Sequence, residues 1–333
     1  MGMPARTRAA APHEGWHALS RAGLVLLGYV LCLPAASLLV AIGYFLYARE
    51  VAEEELHEVT LHMEDVLAWL NGAAMFFVLL AVIALAALAL RWLDRRGSFH
   101  DLGFAWPDRA MPMLLAAIAG GAGLIVGVFV AANALGLVRV TGLMWQREGW
   151  VDVGLDFLSS ALFLGSLVIA EELVFRGYIR FTLTGTLSPR SVWIASAGLF
   201  ALYRAFAAWT VRLGARETLL VILVGFVAGL VLGALYAWSD SLWIPIAARL
   251  AWSLVGAFVF SLAVAGTPME GLLDTQVVRG IVTGGRFGPE GGLLGLMGLT
   301  LALIPVCWIS RKKLGGDPGP SRPGGGGSRP LGS

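Results

Sequence analysis

The chain has 333 residues, is 58% hydrophobic and only 14% charged, and its mean hydropathy is +0.78. So little charge over such a length excludes an ordinary water-soluble protein and indicates an all-α fold, a polytopic transmembrane helical bundle in contact with the lipid bilayer. The formal net charge is +2, and no run of lysine and arginine interleaved with aromatic residues is present, which argues against nucleic acid as a partner.

Eight apolar stretches approach the about 20 residues that a hydrocarbon core requires. They cover residues 22–47, 66–90, 111–137, 155–179, 192–209, 219–238, 242–265 and 293–309. The first is too long for a signal-peptide core and reads as a retained helix. Basic residues set the orientation. Arg6, Arg8 and Arg21 precede the first span; Arg91, Arg95, Arg96 and Arg109 fill the second loop; Arg180 and Arg190 fill the fourth; Arg311, Lys312 and Lys313 follow the last. With eight spans all four segments fall on one side, so both termini are expected in the cytoplasm. Arg212 and Arg216, on the other side, weaken this pattern without reversing it.

The resulting organisation is a cytoplasmic segment 1–21, helices 22–154 with an acidic outer loop, a core 155–265, an outer loop and last helix 266–313, and a Gly/Pro-rich tail 314–333 expected to be disordered. The acidic loop holds Glu50, Glu53, Glu54, Glu55, Glu58, Glu64 and Asp65. His57 and His62 also lie there, but an i,i+5 spacing puts them on different helical faces, and a solvated connector is expected rather than a metal site. Cys32 and Cys307 sit in separate apolar runs and read as buried fillers, without a disulfide or metal framework. Gly225, Gly229 and Gly233 repeat every four residues, and Gly123 with Gly127 repeats the spacing; both stripes predict close helix packing. Trp92, Trp106, Trp145, Trp150, Trp209, Trp238 and Trp243 gather near span ends, as interfacial anchors do.

The residues able to carry chemistry lie in the core. Glu171-Glu172-Leu173-Val174-Phe175-Arg176 follows a run with nothing ionisable, and each mid-membrane charge costs roughly 2.5 to 3.5 kcal/mol. On a helix Glu172 and Arg176 share a face, whereas Glu171 projects about 100° to one side. Two more intramembrane cations follow: Arg204, in Phe200-Ala201-Leu202-Tyr203-Arg204, and Arg249, which is i,i+4 to Ser253. The three charged helices can meet. A transporter would need charges along a continuous pathway, and these cluster in three spans.

Over residues 155–254 the chain resembles the CAAX proteases and bacteriocin-processing enzymes, membrane-embedded endopeptidases. The family carries Glu-Glu-x-x-x-Arg, Phe-x-x-x-His and His-x-x-x-Asn on successive helices. The first motif stands complete as Glu171, Glu172 and Arg176, and the stretch from Gly229 through Ser241 to Ile246 resembles the approach to the third. Arg204 replaces the histidine of the second motif, and Arg249 with Ser253 replaces the histidine and asparagine of the third. All five histidines of the chain, His13, His17, His57, His62 and His100, precede the fourth span.

The resemblance implies an integral protein of a bacterial inner membrane that acts on membrane-bound or prenylated-type peptides. It implies that the first glutamate and the second-motif histidine activate a water while the third-motif pair stabilises the oxyanion. On that pattern Glu171 would serve as base and Arg249 with Ser253 as oxyanion donors. A guanidinium neither takes a proton nor binds a metal, so Arg204 supports no zinc or cobalt site, and no cofactor is expected. Two readings stay open: an intramembrane glutamic endopeptidase, and a catalytically silent homologue that binds lipidated peptides or a membrane partner. Three arginines against two glutamates also suit a structural ion-pair network.

Overall fold

In lipid every backbone N–H and C=O must be satisfied within the chain, and the apolar stretches satisfy theirs as helices. The computed structural model describes residues 12–51, 59–94, 98–107, 109–146, 149–278 and 280–314. The helices are α1 Pro12–Val51, α2 Val59–Trp92, α3 Ala110–Ala134, α4 Trp150–Glu172, α5 Arg180–Thr184, α6 Pro189–Thr210, α7 Ala215–Ser239, α8 Trp243–Leu254 and α9 Leu293–Leu314. Two stretches of wide π-helical turns interrupt the regular pitch, Leu173–Ile179 between α4 and α5 and Val255–Val259 after α8. Among the described residues seven helices are long and apolar enough to cross a bilayer, and Trp243–Val259 forms a shorter apolar one.

Contacts at the two ends of the bundle fix how the chain threads. At one end Arg21 pairs with Asp94 at 2.6 Å, and the Tyr178 hydroxyl donates to the same carboxylate at 2.7 Å. The Leu242 N–H donates to the Gly103 carbonyl at 2.8 Å, and the Trp243 indole to the Phe104 carbonyl at 3.1 Å. At the other end strand β1, Val138–Leu143, pairs antiparallel with β2, Leu273–Val277, with Arg139 opposite Gln276 and a bulge between Val140 and Gly142. The loop after α3 and the loop after α8 therefore share one end. The short α8 therefore runs from one end of the bundle toward the other, beside the seven helices long enough to cross a bilayer. The small sheet was not expected; its strands are five and six residues long and lie in the loops after α3 and α8.

The two largest apolar clusters of the core divide the bundle between them. One gathers α1, α2, α4, the turns after α4 and α6; the other gathers α3, α7, α8 and α9. Helices α6 and α7 approach closely along the predicted stripe: a Cβ at Gly229 would lie 2.8 Å from the Ala197 Cα, and one at Gly233 would lie 2.7 Å from the Trp193 ring. The second stripe does not behave this way. Gly123 and Gly127 face open space, and the close approach on α3 is at Gly121, where a Cβ would run into the Ala248 carbonyl. Spacing alone identifies a small-residue stripe but not which helix it meets.

Trp92, Trp106, Trp150 and Trp209 are exposed, and Trp106 stacks on Trp243 with ring centroids 5.1 Å apart. Cys32 and Cys307 are free and half-buried rather than buried. The acidic stretch splits: α1 ends at Val51, Glu64 and Asp65 fall on α2, and Glu53, Glu54, Glu55, His57 and Glu58 lie outside the described residues, as does the tail from Gly315 onward.

Candidate active-site cluster

The six residues singled out in the sequence are all buried: Glu171 and Glu172 at 0% exposure, Arg176, Arg204, Arg249 and Ser253 at 7% or less. Helical pitch accounts for the first pair. Glu172 ends the regular part of α4, and Arg176 stands four residues on, so its Nη1 donates to Glu172 Oε1 at 3.0 Å. The other Arg176 nitrogen, Nη2, donates to the Gly229 carbonyl at 3.3 Å, and its guanidinium carbon lies 4.6 Å from the centroid of Phe200. The glycine that lets α6 and α7 touch also exposes the carbonyl that Arg176 uses.

Arg249, from the middle of α8, spans both carboxylates. Its Nη1 donates to Glu172 Oε1 at 3.3 Å, and its Nη2 forms an ion pair with Glu171 Oε2. The remaining Glu171 oxygen accepts from the Tyr203 hydroxyl at 2.9 Å, and that hydroxyl lies 3.2 Å from the hydroxyl of Tyr29 on α1. The structure thus brings Glu171, Glu172, Arg176 and Arg249 together. For Glu171 to accept a proton from water, Tyr203 or Arg249 must first withdraw.

Arg204 does not join that group. It pairs instead with Glu290, in the turn Pro289–Gly291 that leads into α9, and its guanidinium lies 4.8 Å from the centroid of Phe287. Among the described residues this interior set therefore holds three arginines against three glutamates, not two. Burial pushes the Glu290 carboxyl up, but the Arg204 and Arg249 guanidiniums outweigh it and hold the group below the usual carboxylate range. Glu290 was missed because it stands alone in a loop rich in glycine; the signal that pointed to it was the unbalanced charge count. Tyr203 was adjacent to a residue already singled out, and Tyr29 had no signal beyond being a tyrosine in an apolar span.

These residues do not fit a metal ion. The guanidinium of Arg249 fills the space between the two carboxylates, and among the described residues no three of His, Cys, Asp and Glu gather where they could hold one. His17 and His100 are exposed and remote from the cluster in sequence, and the side chains of His13 and His62 are outside the described set.

Beside the cluster lies a cavity of about 320 Å³ between α3, α7, α8 and α9. Along α7 it extends from Val224 to Trp238, about 21 Å at 1.5 Å per residue. Its walls are almost wholly apolar, and its charged residues are Arg204, Arg249 and Glu290. Glu171, Glu172 and Ser253 are not among its walls.

Residues 153–255 match the family model described as Type II CAAX prenyl endopeptidase Rce1-like, a stretch that contains all six of the sequence-predicted residues. No curated protein and no solved structure matches the chain. Over residues 153–255, which carry the complete first motif on α4 and its arginine on the next turns, this membrane protein is similar to the Rce1-like CAAX endopeptidase family.

Proposed function

We propose that this chain is a binding member of its family, holding the hydrocarbon part of a lipidated peptide or membrane partner in the α3/α7/α8/α9 cavity without cutting it. One observation carries the reading: Arg249 engages Glu171 and Glu172 together, so both carboxylates serve as counter-ions, and neither reaches the cavity. A buried network of this kind holds helices in register, and removal of one partner leaves charge uncompensated. In this reading the core 155–265 supplies the α7 and α8 walls of the cavity while α3 and α9 supply the others, Arg176, Arg204, Arg249 and Ser253 hold its shape, and both termini face the cytoplasm of a bacterial inner membrane. The test is to present a prenylated CAAX-type peptide to the purified chain. Binding without cleavage is expected from wild type, Glu171→Ala is expected to lower the yield of folded, binding-competent protein, and turnover that depends on Glu171 would overturn the reading.

The second reading is the intramembrane glutamic endopeptidase, favoured by the complete Glu-Glu-x-x-x-Arg motif and the family match. It requires Arg249 to release Glu171 when substrate arrives, after which Glu171 takes a proton from water and Arg249 with Ser253 donates to the oxyanion. Cleavage by wild type and none by Glu171→Ala or Arg249→Gln is its expected pattern.

A further inference from the structure

We propose that Glu290 sets which ligands the cavity accepts: it admits an uncharged hydrocarbon end and turns away a carboxylate. The inference rests on the reading of the cavity as a hydrocarbon site, and concerns what its charged end tolerates.

Arg204 and Arg249 both line the cavity, and two cations in an apolar slot would attract an anionic amphiphile. Both are already answered from within the chain. Arg249 is bound by Glu171 and Glu172, and Arg204 by Glu290. An incoming carboxylate therefore gives up its water, finds no uncompensated cation, and comes to rest beside the Glu290 carboxylate. A methyl terminus in the same place meets the Phe200 ring and Gly225 at no such cost.

Glu290 is held in this role by its loop. Gly288 has a φ of 81°, and a Cβ there would run into the Ala263 carbonyl. A Cβ at Gly291 would lie 2.9 Å from the Phe287 Cβ and 3.0 Å from Val221. The turn is seated against its neighbours on both sides of Glu290, so the carboxylate is a fixed part of the wall.

The test compares palmitate with hexadecanedioate on the full-length chain in detergent by titration calorimetry. Whichever end of the dicarboxylate enters first, a carboxylate reaches the charged end. Wild type is expected to bind palmitate at least about tenfold more tightly, and Glu290→Gln to bring the two within about twofold by freeing Arg204. Equal affinities in wild type overturn the inference, and so does a wild-type gap that persists in a Glu290→Gln protein that still unfolds cooperatively. Ala228→Trp, which fills the cavity, separates the two ideas. If palmitate binding survives it unchanged, the hydrocarbon site itself is wrong and the selectivity falls with it. If binding is lost there while Glu290→Gln leaves the gap intact, the site stands and the role of Glu290 does not.

Discussion

Arg249 is the residue on which the cluster turns, because one guanidinium compensates two carboxylates that are wholly buried. Arg249→Leu is expected to destabilise the bundle by about 3 to 5 kcal/mol, the usual result of stranding buried charge. Thermal unfolding in detergent measures it, and a loss below about 1 kcal/mol would show that the cluster does not hold the fold. Glu290 gives a second expectation. Its carboxyl is held below the ordinary value of 4.5, so its stabilising contribution is complete above that pH and fades as the pH falls toward the depressed folded value. The melting temperature of wild type should therefore drop on acidification below about pH 4.5, and Glu290→Gln should remove part of that slope. Much of this residue scale was legible in the sequence. Five charges in an apolar setting announce themselves, and the i,i+4 rule places Arg176 on Glu172 without coordinates. Glu290 was not legible, since nothing local distinguishes a loop glutamate that meets Arg204 from one that meets water.

At the scale of elements, the contact between α6 and α7 depends on glycine at the crossing. Gly229 touches the Ala197 backbone and presents its carbonyl to Arg176. Gly229→Leu should separate the helices and unseat Arg176, and the yield of folded, monodisperse protein should fall sharply by size-exclusion chromatography. Gly127→Leu, a substitution into open space on α3, should leave that yield near wild type and serves as the control. The glycine spacing was visible in both helices, yet only one stripe meets a partner. Small-residue spacing reports that a helix can be approached, and the approach itself is decided by the packing of the whole bundle. The β1–β2 ribbon escaped the sequence for a related reason: each strand is short, and its pairing joins residues more than a hundred positions apart in the chain.

The whole molecule has two ends that can be tested directly. Arg139 and Gln276 face one another in the ribbon, at a separation that suits a disulfide. The double variant Arg139→Cys with Gln276→Cys should form an intrachain bond under mild oxidation, seen as a reducible shift in gel mobility. In intact cells both cysteines should react with a membrane-impermeant thiol reagent from the same side, and a cysteine at Trp106 from the other. Reaction of all three from one side would dismiss the eight-traverse threading. Hydropathy singled out eight apolar stretches; seven form helices long enough to cross, and α8 is shorter than a full span although its two flanking loops lie at opposite ends.

The long-range pairing of the buried charges also dictates an order of events during synthesis. Glu172 is separated from Arg249 by 77 residues, and Arg204 from Glu290 by 86. When α4 leaves the ribosome, Arg176 answers one of its carboxylates and the counter-ion of Glu171 has not yet been made. Helix α6 then arrives with a cation whose partner lies just before the last span. Neither helix can settle into its final place until α8 and the turn preceding α9 have been translated. The nascent bundle must be kept in a wet or protein-lined setting through much of its translation, and its assembly is completed from the carboxyl-terminal end.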